Sequence, residues 1–198
     1  MKNLILLLVA ALFCMCSTST PPPCDETTIV LQPFDKFSDA EVLQLQQDMQ
    51  QHFFPLVKTK IHIKVLKPQK LPKDCLNTAK TRYSADKCLD YLKEQKDEGI
   101  LIGLTHSDIS TAVHGYSDYG ILGYASLQND VCMVSDHRVR NKHDLWKVVC
   151  HEFIHAYYNY GHCPNDDPTC IIKDAKGKEN LPLKYHLCET CSKKLNGM

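Results

Sequence analysis

Three residues in one short segment, His151, Glu152 and His155, have the types and the spacing needed for metal-assisted hydrolysis. Residues four positions apart lie on one face of an α-helix about one turn apart, so the two imidazoles can bind the same ion. Glu152 directly follows the first histidine, which lets its carboxylate reach a water on the metal without becoming a ligand. The pattern therefore predicts a zinc site and a general base on one helix.

His162, seven residues after His155, is the leading candidate for a third ligand. A third imidazole would leave one tetrahedral position open for water, as a catalytic zinc ion requires. Asn159 lies between these histidines and tolerates the left-handed conformation that would turn the chain back after the helix. The alternative is a pair of structural histidines, but the helix is too apolar to bury His151, Glu152 and His155 without partners.

Four of the eleven cysteines lie close together near the end of the sequence. The last two form a Cys-x-x-Cys pair, which chelates a metal well and suits a structural disulfide less well. The group therefore favours a metal site, and two disulfides are the alternative in an oxidising compartment. Its members are Cys163, Cys170, Cys188 and Cys191.

Of the other cysteines, Cys75 and Cys88 flank a polar stretch and could pair with each other. Cys132 and Cys150 lie in apolar runs and are expected to be buried thiols. Cys24 has no evident role.

The spacing of the histidines and cysteines resembles that of archaemetzincins, whose pattern is HExxHxxGxxHC followed by a further cysteine and a CxxC near the end. The matching residues are His151-Glu152-x-x-His155, His162-Cys163, Cys170 and Cys188-x-x-Cys191. Residues 103–108 and 120–125 also resemble the two stretches that precede the metal-binding helix in that family. The resemblance covers about residues 100–195, roughly half of the chain.

Four differences from the family pattern fall in or near the predicted zinc sites. The stretch between the second and third histidines is one residue longer, and Asn159 stands where a glycine is usual. Six residues separate Cys163 from Cys170 where the family has four. Ile172 replaces the methionine that lies beneath the zinc in this family. None of these differences removes a candidate ligand.

The resemblance implies two zinc ions, a catalytic one bound by His151, His155 and His162 and a structural one bound by the four cysteines. It also implies hydrolysis of peptide bonds, in which zinc lowers the pKa of its bound water and polarises the scissile carbonyl. Glu152 would take the proton of that water and pass it to the leaving amine. The cysteine site would also fix the third histidine, because His162 and Cys163 are adjacent.

The expected partner is a peptide or protein substrate in an extended form. By resemblance to metzincins generally, it would pair with an edge strand at residues 122–127. The main alternative is a zinc-stabilised binding module of the cell envelope that has lost catalysis, since a fold does not guarantee its usual activity. Hydrolysis of a substrate other than a peptide is a further alternative.

Hydrophobic periodicity and capping residues predict an α/β domain with a mixed sheet. With the resemblance, this becomes a metzincin-like single domain with a mixed twisted sheet, an active-site helix and a small C-terminal part held by zinc. Ser38 and Glu41 have the spacing of a capping box for a first helix. The other predicted elements are strands at 60–66, 100–104 and 131–134, a helix from Ser84 to near Gly99, and a largely buried metal-binding helix capped by Asp144.

The net charge and the first residues indicate which partners and which cellular compartment to expect. Lysine plus arginine equal aspartate plus glutamate at 23 each, so a nucleic-acid partner is not expected. A lysine followed shortly by ten apolar residues predicts an export signal at 1–16, then a linker at 17–34 and one metallopeptidase domain at 35–198. Cys14 and Cys16 precede a polar, proline-rich stretch, so a lipid anchor in the cell envelope and plain secretion both remain open. A monomer is expected.

Overall fold

A computed structural model describes residues 26–113, 115–176 and 180–197 of the chain. The strands are β1 (Glu26–Pro33), β2 (Lys60–Val65), β3 (Tyr83–Ser84), β4 (Ile100–Thr105), β5 (Ile109–Val113), β6 (Tyr116–Ile121), β7 (Gly123–Ser126) and β8 (Val131–Ser135). The helices are α1 (Asp39–His52), α2 (Ala85–Gln95), α3 (Leu145–Tyr158) and α4 (Glu189–Asn196). No helix in this described part is long and apolar enough to cross a membrane.

Several predictions concern residues outside the described ranges. They are the export signal, the first part of the linker, Cys14, Cys16 and Cys24. Export, secretion and a lipid anchor therefore stay predictions from the sequence.

The main sheet has five strands in the order β2-β1-β4-β8-β7. The first four are parallel, and β7 runs antiparallel to β8 at the edge, so the predicted mixed sheet is confirmed. Helix α2 covers one face of this sheet, while α1 and α3 cover the other. Because both faces are covered, every residue of β4 is buried, as its apolar sequence predicts.

Local sequence signals place most of the other elements. The Ser38 hydroxyl accepts a hydrogen bond from the Glu41 N–H, and the Glu41 carboxylate accepts one from the Ser38 N–H, so the capping box of α1 is confirmed. The three predicted strands are β2, β4 and β8. Helix α2 begins after Ser84 as predicted but ends at Gln95, earlier than Gly99.

The predicted linker at 17–34 is wrong for its last part, because Glu26–Pro33 forms β1. This strand hydrogen-bonds β2 on one side and β4 on the other. Ile29 and Leu31 are fully buried in the core between the sheet and helices α1 and α3. The folded domain therefore includes the residues from Glu26 onward.

The predicted cap of α3 is confirmed in its position only. Asp144 is the N-cap residue, but its side chain makes no capping hydrogen bond. Its carboxylate instead forms an ion pair with Lys147, three residues later, at 2.7 Å. A short 3-10 helix, Lys142–Asp144, directly precedes α3.

A second sheet has three strands in the order β3-β5-β6. Strand β6 lies in a stretch that is rich in glycine, serine and tyrosine. Asp108 accepts hydrogen bonds from Arg82 and from Arg138, which ties this sheet to the loop that follows β8. Strand β6 ends only two residues before β7 begins. The chain therefore passes directly from the second sheet to the edge of the main sheet, where β7 packs beside α3.

Four described cysteines outside the C-terminal group are buried free thiols. Cys132 and Cys150 are fully buried, as the apolar runs around them predict. Cys75 and Cys88 lie close enough for their side chains to hydrogen-bond each other. The oxidation of this pair to a disulfide stays a prediction.

Candidate active site and metal centres

Helix α3 carries the predicted metal-binding histidines and the glutamate between them, and it packs against β7 and β8. His151 and His155 lie on the same face of the helix, as their spacing predicts. The helix ends at Asn159, which adopts the left-handed conformation with a φ of 47°. That prediction is confirmed, and the reversal of the chain brings His162 back toward the two helix histidines.

The Nε2 atoms of His151 and His155 face each other at 3.1 Å. Their Nδ1 atoms donate to the carbonyl oxygens of Ile171 and Tyr160, at 2.8 and 2.7 Å. A carbonyl oxygen only accepts, so both Nδ1 atoms carry a proton. Burial lowers the pKa of both histidines, and in the neutral form that this favours each Nε2 atom carries a lone pair. Two lone pairs at this distance repel each other unless a cation lies between them. The geometry suits zinc, because two nitrogens at about 2.0–2.1 Å from a tetrahedral ion are about 3.3–3.4 Å apart.

His162 completes the histidine group. Its ring centroid lies 4.7 Å from that of His155 and 5.3 Å from that of His151. One nitrogen from each of the three imidazoles lies within 4.8 Å of the others. His162 is exposed, so the group is accessible from solvent on that side. Burial lowers the pKa of all three histidines, which favours the neutral form that binds a metal.

Glu152 is buried beside the histidine group, with its side chain against β7. A Cβ atom added to Gly123 would lie 2.6 Å from both Cγ and Oε1 of Glu152. Glycine at this position therefore makes room for the carboxylate. Burial raises the pKa of Glu152 to about 8, and the positive charge of Lys184 opposes that shift. A raised pKa makes the carboxylate, once deprotonated, a stronger base than that of an ordinary glutamate.

The four cysteines of the C-terminal group also come together. Their sulfur atoms all lie within 4.8 Å of one another, and all four residues are buried. The Sγ atoms of Cys163 and Cys188 are 3.5 Å apart, and thiolates bound to one tetrahedral zinc ion at about 2.3 Å are about 3.8 Å apart. Two disulfides would require only two close pairs of sulfurs. The closeness of all four therefore favours one chelating site.

Helix α4 and two loops hold the cysteine group in place. Cys188 directly precedes α4 and Cys191 lies in its first turn, so the Cys-x-x-Cys spacing puts both sulfurs at one helix end. The Cys163 N–H donates to the Ile172 carbonyl oxygen at 3.0 Å. Burial raises the pKa of the Cys170 thiol to about 11. Burial also acts to raise the pKa of Cys188, but hydrogen bonds from neighbouring groups, chiefly those of Cys191, lower it overall.

The carbonyls that orient the histidines belong to segments in contact with the cysteine group. The Tyr160 hydroxyl lies 3.6 Å from Sγ of Cys191, and Ile171 directly follows Cys170. The third histidine directly precedes Cys163. The cysteine group thus fixes the backbone segments that set the positions of all three histidine rings. The sequence contains no signal for the roles of Tyr160 and Ile171, because every residue has a carbonyl group.

The remaining departures from the archaemetzincin pattern fit into this arrangement. Ile172, at the position where methionine is usual, is fully buried in the main core. In the longer loop between the first two cysteines, the Asp167 carboxylate accepts hydrogen bonds from the N–H and hydroxyl of Thr169. Asp167 also pairs with His186 at 3.0 Å. The loop is therefore held by side-chain contacts of its own.

Other described histidines lie outside the two groups. Within residues 26–113, 115–176 and 180–197, only these two groups bring three or more potential ligand side chains close together. His106 pairs with Asp136 at 2.9 Å and His143 lies 3.5 Å from Asp48. These contacts indicate structural or surface roles for both histidines.

Comparisons with known proteins agree with this geometry, although no protein-family model matches the sequence. A curated archaemetzincin from Nanoarchaeum equitans is 26% identical over 128 residues, which cover 63% of this chain and 69% of the relative. A crystal structure of an archaemetzincin from Methanopyrus kandleri superposes with a TM-score of 0.68 at 21% identity, covering 88% of this chain and 96% of that one. This chain has the archaemetzincin fold.

The archaemetzincin fold also extends to a zinc-dependent peptidase from Methanocorpusculum labreanum. Its crystal structure superposes with a TM-score of 0.63 at 18% identity, covering 84% of this chain and 100% of that one. The predicted fold class, a single α/β domain with a mixed sheet and a C-terminal cysteine group, is confirmed. So is the resemblance to archaemetzincins inferred from the motifs.

Proposed function

We propose that this chain is a zinc-dependent metallopeptidase that hydrolyses peptide bonds. The observation that carries the proposal is the opposed pair of Nε2 atoms on His151 and His155, whose Nδ1 atoms both bond carbonyl oxygens, with His162 beside them. A buried carboxylate, Glu152, directly follows the first histidine. The archaemetzincin relative and the zinc-dependent peptidase of the same fold support zinc as the metal and a peptide as the substrate.

Zinc held by the three imidazoles would supply a Lewis acid and a water ligand with a pKa near neutrality. In the proposed mechanism, Glu152 takes the proton of the attacking water and passes it to the leaving amine. Its burial keeps bulk water from the carboxylate, and its raised pKa suits a group that must hold and then release a proton. The carbonyls of Ile171 and Tyr160 hold His151 and His155 in a single tautomer, so their Nε2 atoms stay directed at one point.

The cysteine group is proposed to bind a second zinc ion with a structural role. Four thiolates form a closed site that leaves no position for a substrate. The four cysteines are buried, and their mutual spacing fits one tetrahedral ion. A metal at this site would hold Tyr160 and Cys163, and through them the second and third histidines.

Strand β7 is proposed as the edge on which an extended substrate binds. It is the outermost strand of the main sheet, it packs beside α3, and Gly123 within it contacts Glu152. A peptide added to such an edge forms main-chain hydrogen bonds with the strand. Amide hydrogen exchange in β7 should therefore slow when a non-cleavable peptide analogue binds. Unchanged exchange rates at saturating analogue would contradict this placement.

Replacing Gly123 by alanine is expected to lower kcat by about 10²-fold with little loss of bound zinc. The new methyl group would overlap the Glu152 side chain, and moving a reacting group by about 1 Å costs about that much. Steady-state kinetics and zinc analysis of the purified variant measure both quantities. Turnover at the wild-type rate in a folded, zinc-loaded variant would refute the close packing of Glu152 on β7.

The proposed function is tested by digesting a peptide library with the purified, zinc-loaded protein, with and without a chelator. We expect cleavage that stops when zinc is removed and returns when zinc is restored. If no peptide is cleaved while both sites hold metal, the zinc-stabilised binding module is favoured instead. Ile172 and the longer loop before His162 are the sequence features that accord with that alternative. Chelator-sensitive hydrolysis of other substrate classes alone would replace the peptidase with a different hydrolase.

A further inference from the structure

Lys184 is a buried lysine, with only 4% of its surface exposed, directly after the short 3-10 helix Leu181–Leu183. Burying an ammonium group is costly unless other groups replace its hydration. Its Nζ atom donates to the carbonyl oxygen of Ile171 at 3.1 Å and also to that of Lys173. The side chain therefore holds the turn at residues 171–173, which follows one of the cysteines.

The Ile171 carbonyl oxygen is shared between Lys184 and the first candidate zinc ligand. It accepts the Nδ1–H of His151 at 2.8 Å as well as the Lys184 ammonium. A second hydrogen bond limits the directions in which this oxygen can move. The orientation of the His151 ring therefore depends on the hydrogen bond that Lys184 makes to this oxygen.

The ammonium group of Lys184 also lies near the cysteine group, because the Ile171 carbonyl that it bonds directly follows Cys170. Burial lowers the pKa of Lys184 to about 8, while nearby negative charge from Cys170, Asp174, Glu152 and Cys163, in that order of size, acts in the opposite direction. Four thiolates on one zinc ion carry a formal charge of about −2, which needs compensation in a buried site. Lys184 supplies a positive charge at that place.

We propose that Lys184 is a positioning residue that joins the cysteine site to the histidine site. It balances the thiolates on one side and fixes the carbonyl that orients His151 on the other. This inference rests on the proposed function, because it takes both groups to be zinc sites. Loss of a group that hydrogen-bonds and orients a metal ligand typically weakens metal affinity by about 10–100-fold. We expect a loss of this size at the histidine site when Lys184 is replaced.

Lys184→Met tests the inference, because it keeps the apolar stem and removes the ammonium. Lys147→Met is the matched control. Lys147 is also buried, and it donates to the carbonyls of Leu181 and Pro182 at 3.3 and 3.2 Å, so it anchors the neighbouring segment without bonding Ile171. Zinc affinity is measured by competition with a chromophoric chelator. The visible spectrum of the cobalt-substituted protein reports separately on the imidazole and thiolate sites.

We expect Lys184→Met to bind zinc at the histidine site about 10–100-fold more weakly and to alter the cobalt spectrum of that site. Lys147→Met should match the wild type in both. Lys184→Arg, which keeps the charge and the donors, should recover most of the affinity. Should Lys184→Met not fold, Lys184→Gln takes its place in the comparison with Lys184→Arg.

Three results would overturn the inference. The first is wild-type zinc affinity in the folded variant that lacks the charge. The second is weakening at the cysteine site alone, which would leave the histidine site independent of Lys184. The third is equal weakening in Lys147→Met, which would indicate general loosening of the segment. A wild-type protein that binds no metal at the three histidines would instead refute the proposed function itself.

Discussion

Replacing Glu152 by glutamine is expected to lower kcat by about 10²–10⁴-fold, the range associated with loss of a general base. The amide has nearly the same shape as the carboxylate, so it fits the buried site beside Gly123 without new overlap. It cannot take a proton from the attacking water. Because Glu152 is not a proposed ligand, zinc content should remain that of the wild type. Steady-state kinetics and metal analysis on the same preparation check both expectations.

Glu189→Gln is a control for this exchange. Glu189 is exposed, directly follows Cys188, and forms an ion pair with Lys193. Its replacement removes one carboxylate near the cysteine group without touching the histidine group, so activity should be unchanged. Undiminished activity in Glu152→Gln would refute the assignment of the base. Loss of zinc along with activity would show that the carboxylate supports the metal site.

Elements with local signals could be predicted from the sequence, whereas elements that depend on distant partners could not. The Ser38 and Glu41 capping box lies within four residues, and the left-handed turn at Asn159 depends on one side chain. Strand β1 is different, because its place between β2 and β4 is set by pairing with residues some 30 to 70 positions away. A short β-branched run beside a proline-rich stretch does not reveal such pairing.

The same distinction applies to the candidate site. Spacing along α3 and within Cys-x-x-Cys was enough to predict that His151 lies beside His155 and Cys188 beside Cys191, while the resemblance to archaemetzincins implied the complete groups. The groups that hold them could not be predicted, because a carbonyl such as that of Ile171 has no sequence signature. The need for Gly123 arises only when β7 packs against α3, and the position of Lys184 only when the C-terminal segment folds back. Candidate ligands can thus be predicted in part from local spacing, whereas the groups that hold them depend on tertiary packing.

Replacing Cys191 by serine is expected to remove one equivalent of zinc and to lower the melting temperature by about 10 °C or more. Cys191 is fully buried among the other three sulfurs. Structural zinc contributes on the order of 10 kcal/mol in small zinc-binding peptides, comparable to the whole stability of a typical domain. Its sulfur also lies next to the hydroxyl of Tyr160, whose carbonyl orients His155. Activity should therefore fall along with stability.

Cys88→Ser is the matched control for the loss of a buried thiol. Cys88 is fully buried on α2, on the opposite face of the sheet. Its replacement should cost about 1–3 kcal/mol, as for a polar group placed in a core, and leave zinc content unchanged. Thermal unfolding and metal analysis compare the two variants. If Cys191→Ser keeps all of its zinc, and a reductant alone destabilises Cys88→Ser, in which Cys75 and Cys88 cannot pair, the four cysteines form two disulfides. The histidines would then be held by covalent bonds in place of a second metal ion.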